Sequence, residues 1–304
     1  MMITPEVTKL HTLRGHQDCV YTLEPSDRES VFFSGAGDGM VVSWNLNDPE
    51  NGEMIAKLPN SVYALNYHHE SGLLAAGHNY EGIHLLDWKN KKEIGSLQLT
   101  KAAIFDIKSS GSHLFVAAGD GSVKKVKVTD LTVTATNQAS DKSARCMAIS
   151  EAKGEIAVGY SDNFIRVFDL DTLRQKYEWL AHANSVFAVR YAPGGRYLMS
   201  GSRDARLKAW DVASDYRLAG EVVAHMYAIN HLDFSPDGKH FVTCSMDKSL
   251  KVWNFEALSL IKVIDRARHA GHATSVNKVL WTAHHDQLVS ASDDRTISVW
   301  NIIF

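Results

Sequence analysis

A histidine, an aspartate 22 residues later and a tryptophan six residues beyond that recur four times in this chain of 304 residues. The groups are His16, Asp38 and Trp44; His182, Asp204 and Trp210; His225, Asp247 and Trp253; and His272, Asp294 and Trp300. The surrounding text repeats as well: SGAGDGMVVSWN (34–45), SGSRDARLKAWD (200–211), TCSMDKSLKVWN (243–254) and SASDDRTISVWN (290–301). Spacing held through four copies specifies one supersecondary unit used repeatedly, and this constrains the fold more tightly than local propensity does. A period near 42 leaves room for three degraded copies between Trp44 and Trp210, with Leu86, Val126 and Phe168 at the tryptophan position. Successive steps are then 42, 40, 42, 42, 43 and 47 residues, so the chain carries seven units.

Each unit reads as short β-strands. In the sixth these are Ile229 to Phe234, His240 to Ser245 and Leu250 to Asn254, with SPDGK as a turn between the first two and room for a fourth strand before the next histidine. The period, Gly15-His16, Gly271-His272, the PDG turn and the closing Trp-Asp or Trp-Asn together resemble the WD40-repeat family over essentially the whole chain. That resemblance implies an all-β, seven-bladed propeller, with residues 1–304 forming a single domain. A lone four-stranded blade leaves both faces bare and must bury them against its neighbours. The seventh unit ends three residues after Asn301 without its own outer strand, while Val7 to Leu13 has no partner nearby in sequence. As in the family, the amino-terminal strand is expected to complete the last blade and remove two exposed sheet edges.

Several function classes are disfavoured by composition. The longest apolar run, Leu114 to Ala118, has five residues, whereas a bilayer-spanning helix needs about 20, so no membrane insertion is expected. MMITPEVTKL lacks the basic and apolar regions of a secretory signal. Cys19, Cys146 and Cys244 are few, far apart and odd in number, which points to a reducing, cytoplasmic setting without excluding the nucleus. A net charge of −3 supplies no field toward phosphate backbones, so nucleic acid is not an expected partner. Lys89 to Lys92 and Lys124 to Lys127 read as solvated clusters on outer or turn segments. The pairs His68-His69 and His284-His285 fall in or beside turns, where adjacent rings seldom converge on one ion, and no metal or cofactor is assigned. Signatures of a nucleophile elbow, zinc protease or phosphate loop are missing, and GAGDG (35–39) and AGDGS (118–122) are turn glycines.

Histidine, aspartate and serine together would ordinarily suggest a catalytic triad. Four equivalent copies argue instead for a structural role. In the matching family repeats these residues form a hydrogen-bonded tetrad with the tryptophan indole, and the hydroxyl member maps to Ser34, Ser200, Thr243 and Ser290. The middle units depart from the pattern. Tyr80 replaces the aspartate in the second, histidine is missing from the second, third and fourth, and Val116 and Val158 occupy the hydroxyl position beside Asp120 and Asp162. Coherent replacement of a polar network by apolar packing is tolerable, because the large cost falls on a partner left unsatisfied.

In the family, ligands dock near the central opening on the face carrying the histidine loops. Repeat register brings one side chain per blade there: Tyr21, Tyr63, Phe105, Met147, Phe187, Asn230 and Asn277. Four rings and a methionine on one face suit a binding site, although the rings would equally serve as a plug for the channel mouth. Arg145, Arg203 and Asp293 are expected to ring the same opening. The connection from Trp253 to His272 is 19 residues against 14 or 15 in the two preceding units, and if ordered its Arg266 and Arg268 suit a partner's carboxylate or phosphate. The favoured function is a non-catalytic scaffold, a monomer or a subunit of a larger complex, that binds a protein or peptide through this face. Two alternatives stay open. One is an obligate structural subunit that uses its side or opposite face; the other is a propeller hydrolase acting in the channel, which requires a convergent ionisable cluster that the sequence does not display.

Overall fold

The computed structural model describes residues 5–80 and 82–304. Residues 1–4, which begin both the segment read for a secretory signal and the proposed 1–304 domain, lie outside the described residues. The described chain forms seven four-stranded antiparallel sheets. Six are continuous in sequence, the first being Val20–Pro25, Val31–Ala36, Met40–Asn45 and Asp48–Lys57 from the channel outward. Blade 6 has the three strands expected from sequence and a fourth at Ser259–Ile264. Blade 7 is composite: Val276–Trp281, Leu288–Ser292 and Ile297–Ile303 are completed by Glu6–Leu13 as outermost strand. Its register runs from Glu6 opposite Ile303 to Leu13 opposite Ile297, so the ring closes as expected.

The strands differ by layer for a simple reason. Second strands such as Val31–Ala36 are buried along their whole length because neighbouring blades cover both faces. Outer strands such as Lys92–Gln98 are largely exposed and carry polar residues. Apolar packing is accordingly divided into layers between adjacent blades; Phe33 and Val41 of blade 1, for example, pack with Val62, Leu65 and Leu74 of blade 2. Close approach requires the second strand to be small at one point. A Cβ added to Gly77 would stand 2.5 Å from Ile104 Cγ2 of the next blade, and one added to Gly201 would stand 2.6 Å from Ile229 Cγ2.

Each innermost strand also carries a bulge at the same place, between the residues that flank Tyr21, Tyr63, Phe105, Arg145, Phe187, Asn230 and Asn277. A bulge leaves one residue unpaired and re-aims its side chain.

Two outer segments differ from expectation. The long connection into blade 7 contains a helical turn, Arg266–His269, capped by the Asp265 carboxylate on the Arg268 amide. The same carboxylate binds the Arg268 guanidinium at 2.6 Å, so Arg268 is engaged within the chain while Arg266 is exposed. Lys125, read as part of a solvated cluster, is buried and donates to the Leu170 and Asp171 carbonyls of the next blade at 3.2 and 3.0 Å. Among the described residues no helix is long and apolar enough to cross a membrane.

Two stability experiments follow from ring closure. Deleting residues 1–13 will uncover the Ile297–Ile303 edge and lower the melting temperature sharply; an unchanged thermal scan would show that the strand is dispensable. Gly201→Val should destabilise by roughly 1–3 kcal/mol or more in urea titration through overpacking against Ile229, whereas Gly154→Val, at a site with nothing within 4 Å of the added Cβ, tests the cost of left-handed backbone alone.

Candidate functional site

The four His, Asp, Ser/Thr and Trp groups are closed hydrogen-bond chains. In blade 6 His225 Nδ1 lies 2.8 Å from Asp247, His225 Nε2 lies 2.7 Å from Thr243 Oγ1, and Trp253 Nε1 donates to the same hydroxyl at 2.9 Å. A carboxylate only accepts, so Nδ1 carries the proton, the hydroxyl donates to Nε2, and the indole supplies the hydroxyl's incoming bond. The groups His16, Ser34, Asp38 and Trp44; His182, Ser200, Asp204 and Trp210; and His272, Ser290, Asp294 and Trp300 repeat this connectivity. Each aspartate also binds a backbone amide in the histidine loop, as Asp247 does with Met226 and Asp294 with Ala273, which ties that loop to the following turn. With its hydrogen bonds used internally and its hydroxyl member fully buried, the tetrad is a corner brace.

The degraded blades keep more of this device than their sequence discloses. Thr100 donates to Asp120 at 2.6 Å and Ser140 to Asp162 at 2.7 Å, so a hydroxyl stands where histidine stands elsewhere. Both lie 20 to 22 residues before the aspartate, and that spacing is the signal by which they could have been found. Blade 2 is apolar instead: Leu58, Ala76 and Leu86 are buried together, and a separate chain links His78, His84 and Glu93 through contacts of 2.8 and 3.0 Å.

The bulged residues form the mouth of the central channel. Tyr21 and Tyr63 have ring centroids 4.7 Å apart, and Tyr63 and Phe105 5.9 Å apart. The Arg145 guanidinium then lies 3.9 Å from the Phe105 centroid and 4.9 Å from that of Phe187, which continues the arc as a cation sandwiched between rings. One sequence assignment requires correction. In blade 4 the bulged residue is Arg145, while Met147, placed at the mouth from sequence, is only 2% exposed and packs below it. Counting five residues from Ser140, which stands at the histidine position of this blade, gives Arg145; the sequence assignment slipped by two residues.

The other side of the mouth is polar and self-satisfied. Asn230 donates to Ser275 Oγ and the Val276 carbonyl at 3.0 and 2.8 Å, and Asn277 to Asp293 and the Val20 carbonyl at 2.7 and 3.0 Å. These side chains staple one blade to the next, and Asp293 is occupied by Asn277. Arg203 is exposed on the rim. Sequence reasoning passed over an apolar cluster beside it on blade 6: Met226 is 81% exposed, Tyr227 and Met246 are also exposed, and all three flank tetrad residues. Met246 holds the position of Arg203 and Asp293 immediately before the aspartate, so the same register would have found it.

Below the mouth lies a cavity of about 420 Å³ whose walls include Asp106, Lys108, Arg190, His231 and Lys278. Ionisable groups therefore do converge in the channel. They alternate along the innermost strands at inward positions, a period-two signal scattered over separate blades. Among the described residues no group of three or more histidine, cysteine or acidic residues is arranged to hold a metal ion. His68 uses both nitrogens, on Ser71 and the Gly111 carbonyl.

The fold and brace define a β-propeller of repeated units. A family model described as the WD domain, G-beta repeat, matches residues 7–45, 173–211, 217–254 and 265–301, and the chain belongs to this WD40 family. The unmatched middle coincides with the blades that lack full tetrads. Meiotic fizzy-related protein 1 of Schizosaccharomyces pombe is 25% identical over 67% of this chain and 50% of its own length. Human striatin is 23% identical over 69% of this chain and 30% of its own length. The matched region thus spans half or less of these relatives. The crystal structure of the WD40 β-propeller domain of Doa1 superposes with a TM-score of 0.85 at 18% identity, covering 97% of both chains.

The braces generate two expected outcomes. Asp247→Ala leaves His225, Ser249 and the Met226 amide without their acceptor and should cost about 1–3 kcal/mol in chemical denaturation; Ser161→Ala, in a turn outside any tetrad, should cost far less. Acid should also unfold the protein by a predictable course. Burial lowers His225, although hydrogen bonding and attraction from Asp247 oppose this, so below the ordinary value of 6.5 the unfolded chain takes up protons that the fold refuses. Burial pushes Asp247 up, but the bonds and charge of His225 outweigh it and hold the carboxyl well below 3.8; Asp204 and Asp294 behave alike. Both depressed sets make stability fall as pH falls, first through the histidine range and then through the carboxylate range. Melting temperatures between about pH 8 and pH 3 will show this decline, and in Asp247→Ala its carboxylate part should be shallower.

Proposed function

We propose that this propeller is a non-catalytic binding platform that captures a protein or peptide segment at the channel mouth. The observation that carries the reading is the continuous arc Tyr21, Tyr63, Phe105, Arg145 and Phe187, half-buried and extended across the rim by exposed Met226, Tyr227 and Met246. Aromatic and arginine anchors dominate interface energetics, and an exposed apolar cluster on a soluble surface marks an interaction site. The support is physical as well as familial: bulges in a closed ring hold the anchors in place before a ligand arrives, so less ordering entropy is lost on binding. Catalysis in the channel is less well supported, because its carboxylates are each committed to a cation or to backbone amides. Asp106 pairs with Lys108 at 3.1 Å and Asp233 with Arg190 at 2.8 Å.

Affinity enrichment from the source cell's lysate, comparing wild type with a folded Tyr63→Ala, Phe105→Ala, Phe187→Ala variant, tests the reading. Specific proteins should be retained by the first and lost by the second, since each central anchor is worth about 1–2 kcal/mol or more. Equal retention would move the interaction to the side or opposite face and favour the structural-subunit reading.

A further inference from the structure

The central channel holds more positive charge than its own carboxylates neutralise. Three acids reach its wall against four cations, Lys108, Arg190, Lys278 and Arg145, so one positive charge is left over. Asp106 pairs with Lys108 at 3.1 Å and accepts the Met147 amide at 2.7 Å; Asp233 pairs with Arg190 at 2.8 Å and accepts the Trp281 amide at 2.9 Å. Glu24 accepts the Tyr67 amide at 3.0 Å and the Asn66 side chain at 3.2 Å. Lys108 and Arg190 are thereby matched. Lys278 and Arg145, lining the same cavity, have no hydrogen bond or ion pair among the described residues. Arg145 rests on two ring faces, an arrangement that engages the guanidinium plane and leaves its N–H edge for an acceptor.

Enclosure makes these two cations unusual. Burial pulls both below their ordinary values; for Lys278 repulsion from Lys108 and Arg190 adds to it, and attraction from Asp106 and Glu24 opposes it without cancelling it. His231 also lines the cavity; burial and the charges of Lys278, Arg190 and Lys108 hold its ring well below the ordinary value, and its buried Nδ1 has no hydrogen-bond partner. Blades 4 and 7, which carry Arg145 and Lys278, are three apart, the largest separation in a ring of seven. An anion entering between them meets positive charge from both sides in a cleft whose protein walls focus such a field.

We propose that the channel is an oxyanion site, in which carboxylate or phosphate oxygens seat between Lys278 and Arg145 beside His231, and that a polypeptide bound at the mouth delivers an acidic side chain to it. The first half stands on the channel alone; the second rests on the mouth being the binding face.

Calorimetric titration with inorganic phosphate and with glutarate, together with ring ¹⁵N spectra of His231, tests the site directly. Both anions should bind wild type and move the His231 signals. Lys278→Met and Arg145→Met should each weaken binding roughly tenfold, the worth of one charge-assisted hydrogen bond. Lys239→Met on the exposed surface should change neither affinity nor the His231 signals. No anion binding by wild type, or equal binding by Lys278→Met, overturns the proposal.

A random-peptide selection separates the two halves. Peptides retained by wild type should be enriched in Asp and Glu, and Lys278→Met should lose that enrichment. Phosphate binding without acidic enrichment would make a free small anion the occupant and overturn the polypeptide half. A variant with Tyr21→Ser, Tyr63→Ser, Met226→Ser, Tyr227→Ser and Met246→Ser should lose peptides yet still bind phosphate; if it keeps its peptides, the mouth reading fails while the oxyanion site stands on the phosphate result.

Discussion

Every blade of this protein has two apolar faces and no means of covering them itself. A four-stranded sheet buried on one face only would leave the other in water, so each blade requires a neighbour on both sides, and a row satisfies that requirement throughout only by closing into a ring. The Gly77–Ile104 and Gly201–Ile229 approaches show how tightly the blades are pressed together. Closure also explains why the first strand travels to the last blade: pairing Glu6–Leu13 with Ile297–Ile303 covers an edge and makes opening the ring expensive in both hydrogen bonds and burial. The chain's resistance to unfolding is thus a property of the circuit more than of any blade.

Within that circuit the polar braces are adjustable. Complete tetrads occur in blades 1, 5, 6 and 7, hydroxyl-to-aspartate pairs in blades 3 and 4, and apolar packing in blade 2. The physical rule common to all of them is that no member is left alone. Where histidine is lost, threonine or serine supplies the hydrogen to the aspartate; where the aspartate is lost, its partners become Leu58, Ala76 and Leu86 together. This freedom lets the middle blades drift in sequence while their strands stay in register, and it accounts for a family match confined to the braced units.

The candidate site lies where the ring does not fill its own centre. The bulges turn one residue per blade toward the mouth, and alternate residues below them toward the channel. Because each blade contributes so few side chains, the chemistry of the opening is assembled from positions about 42 residues apart, with rings and a guanidinium from blades 1 to 5, asparagine staples from blades 6 and 7, and an enclosed set of charges underneath. Rigid strands hold all of them, which favours recognition by a preformed surface.

The number of blades, the four tetrads and the composite last blade were legible in the sequence, because each depends on spacing, and spacing along a repeat is preserved when the repeat folds. Most of the mouth was legible for the same reason: Tyr21, Tyr63, Phe105, Phe187, Asn230 and Asn277 follow from counting. Arg145 was expected beside the opening, and counting five residues from Ser140 gives its register; what only the tertiary structure decided is that it, and not Met147, is the bulged residue of blade 4. The stapling of Asn230 and Asn277, the burial of Lys125 and the placing of Lys278, Arg145 and His231 on one cavity likewise depend on which blades stand next to or across from each other. Sequence order records the distance along the chain; the ring alone sets the distance across the channel, where Coulomb and hydrogen-bond energies are determined.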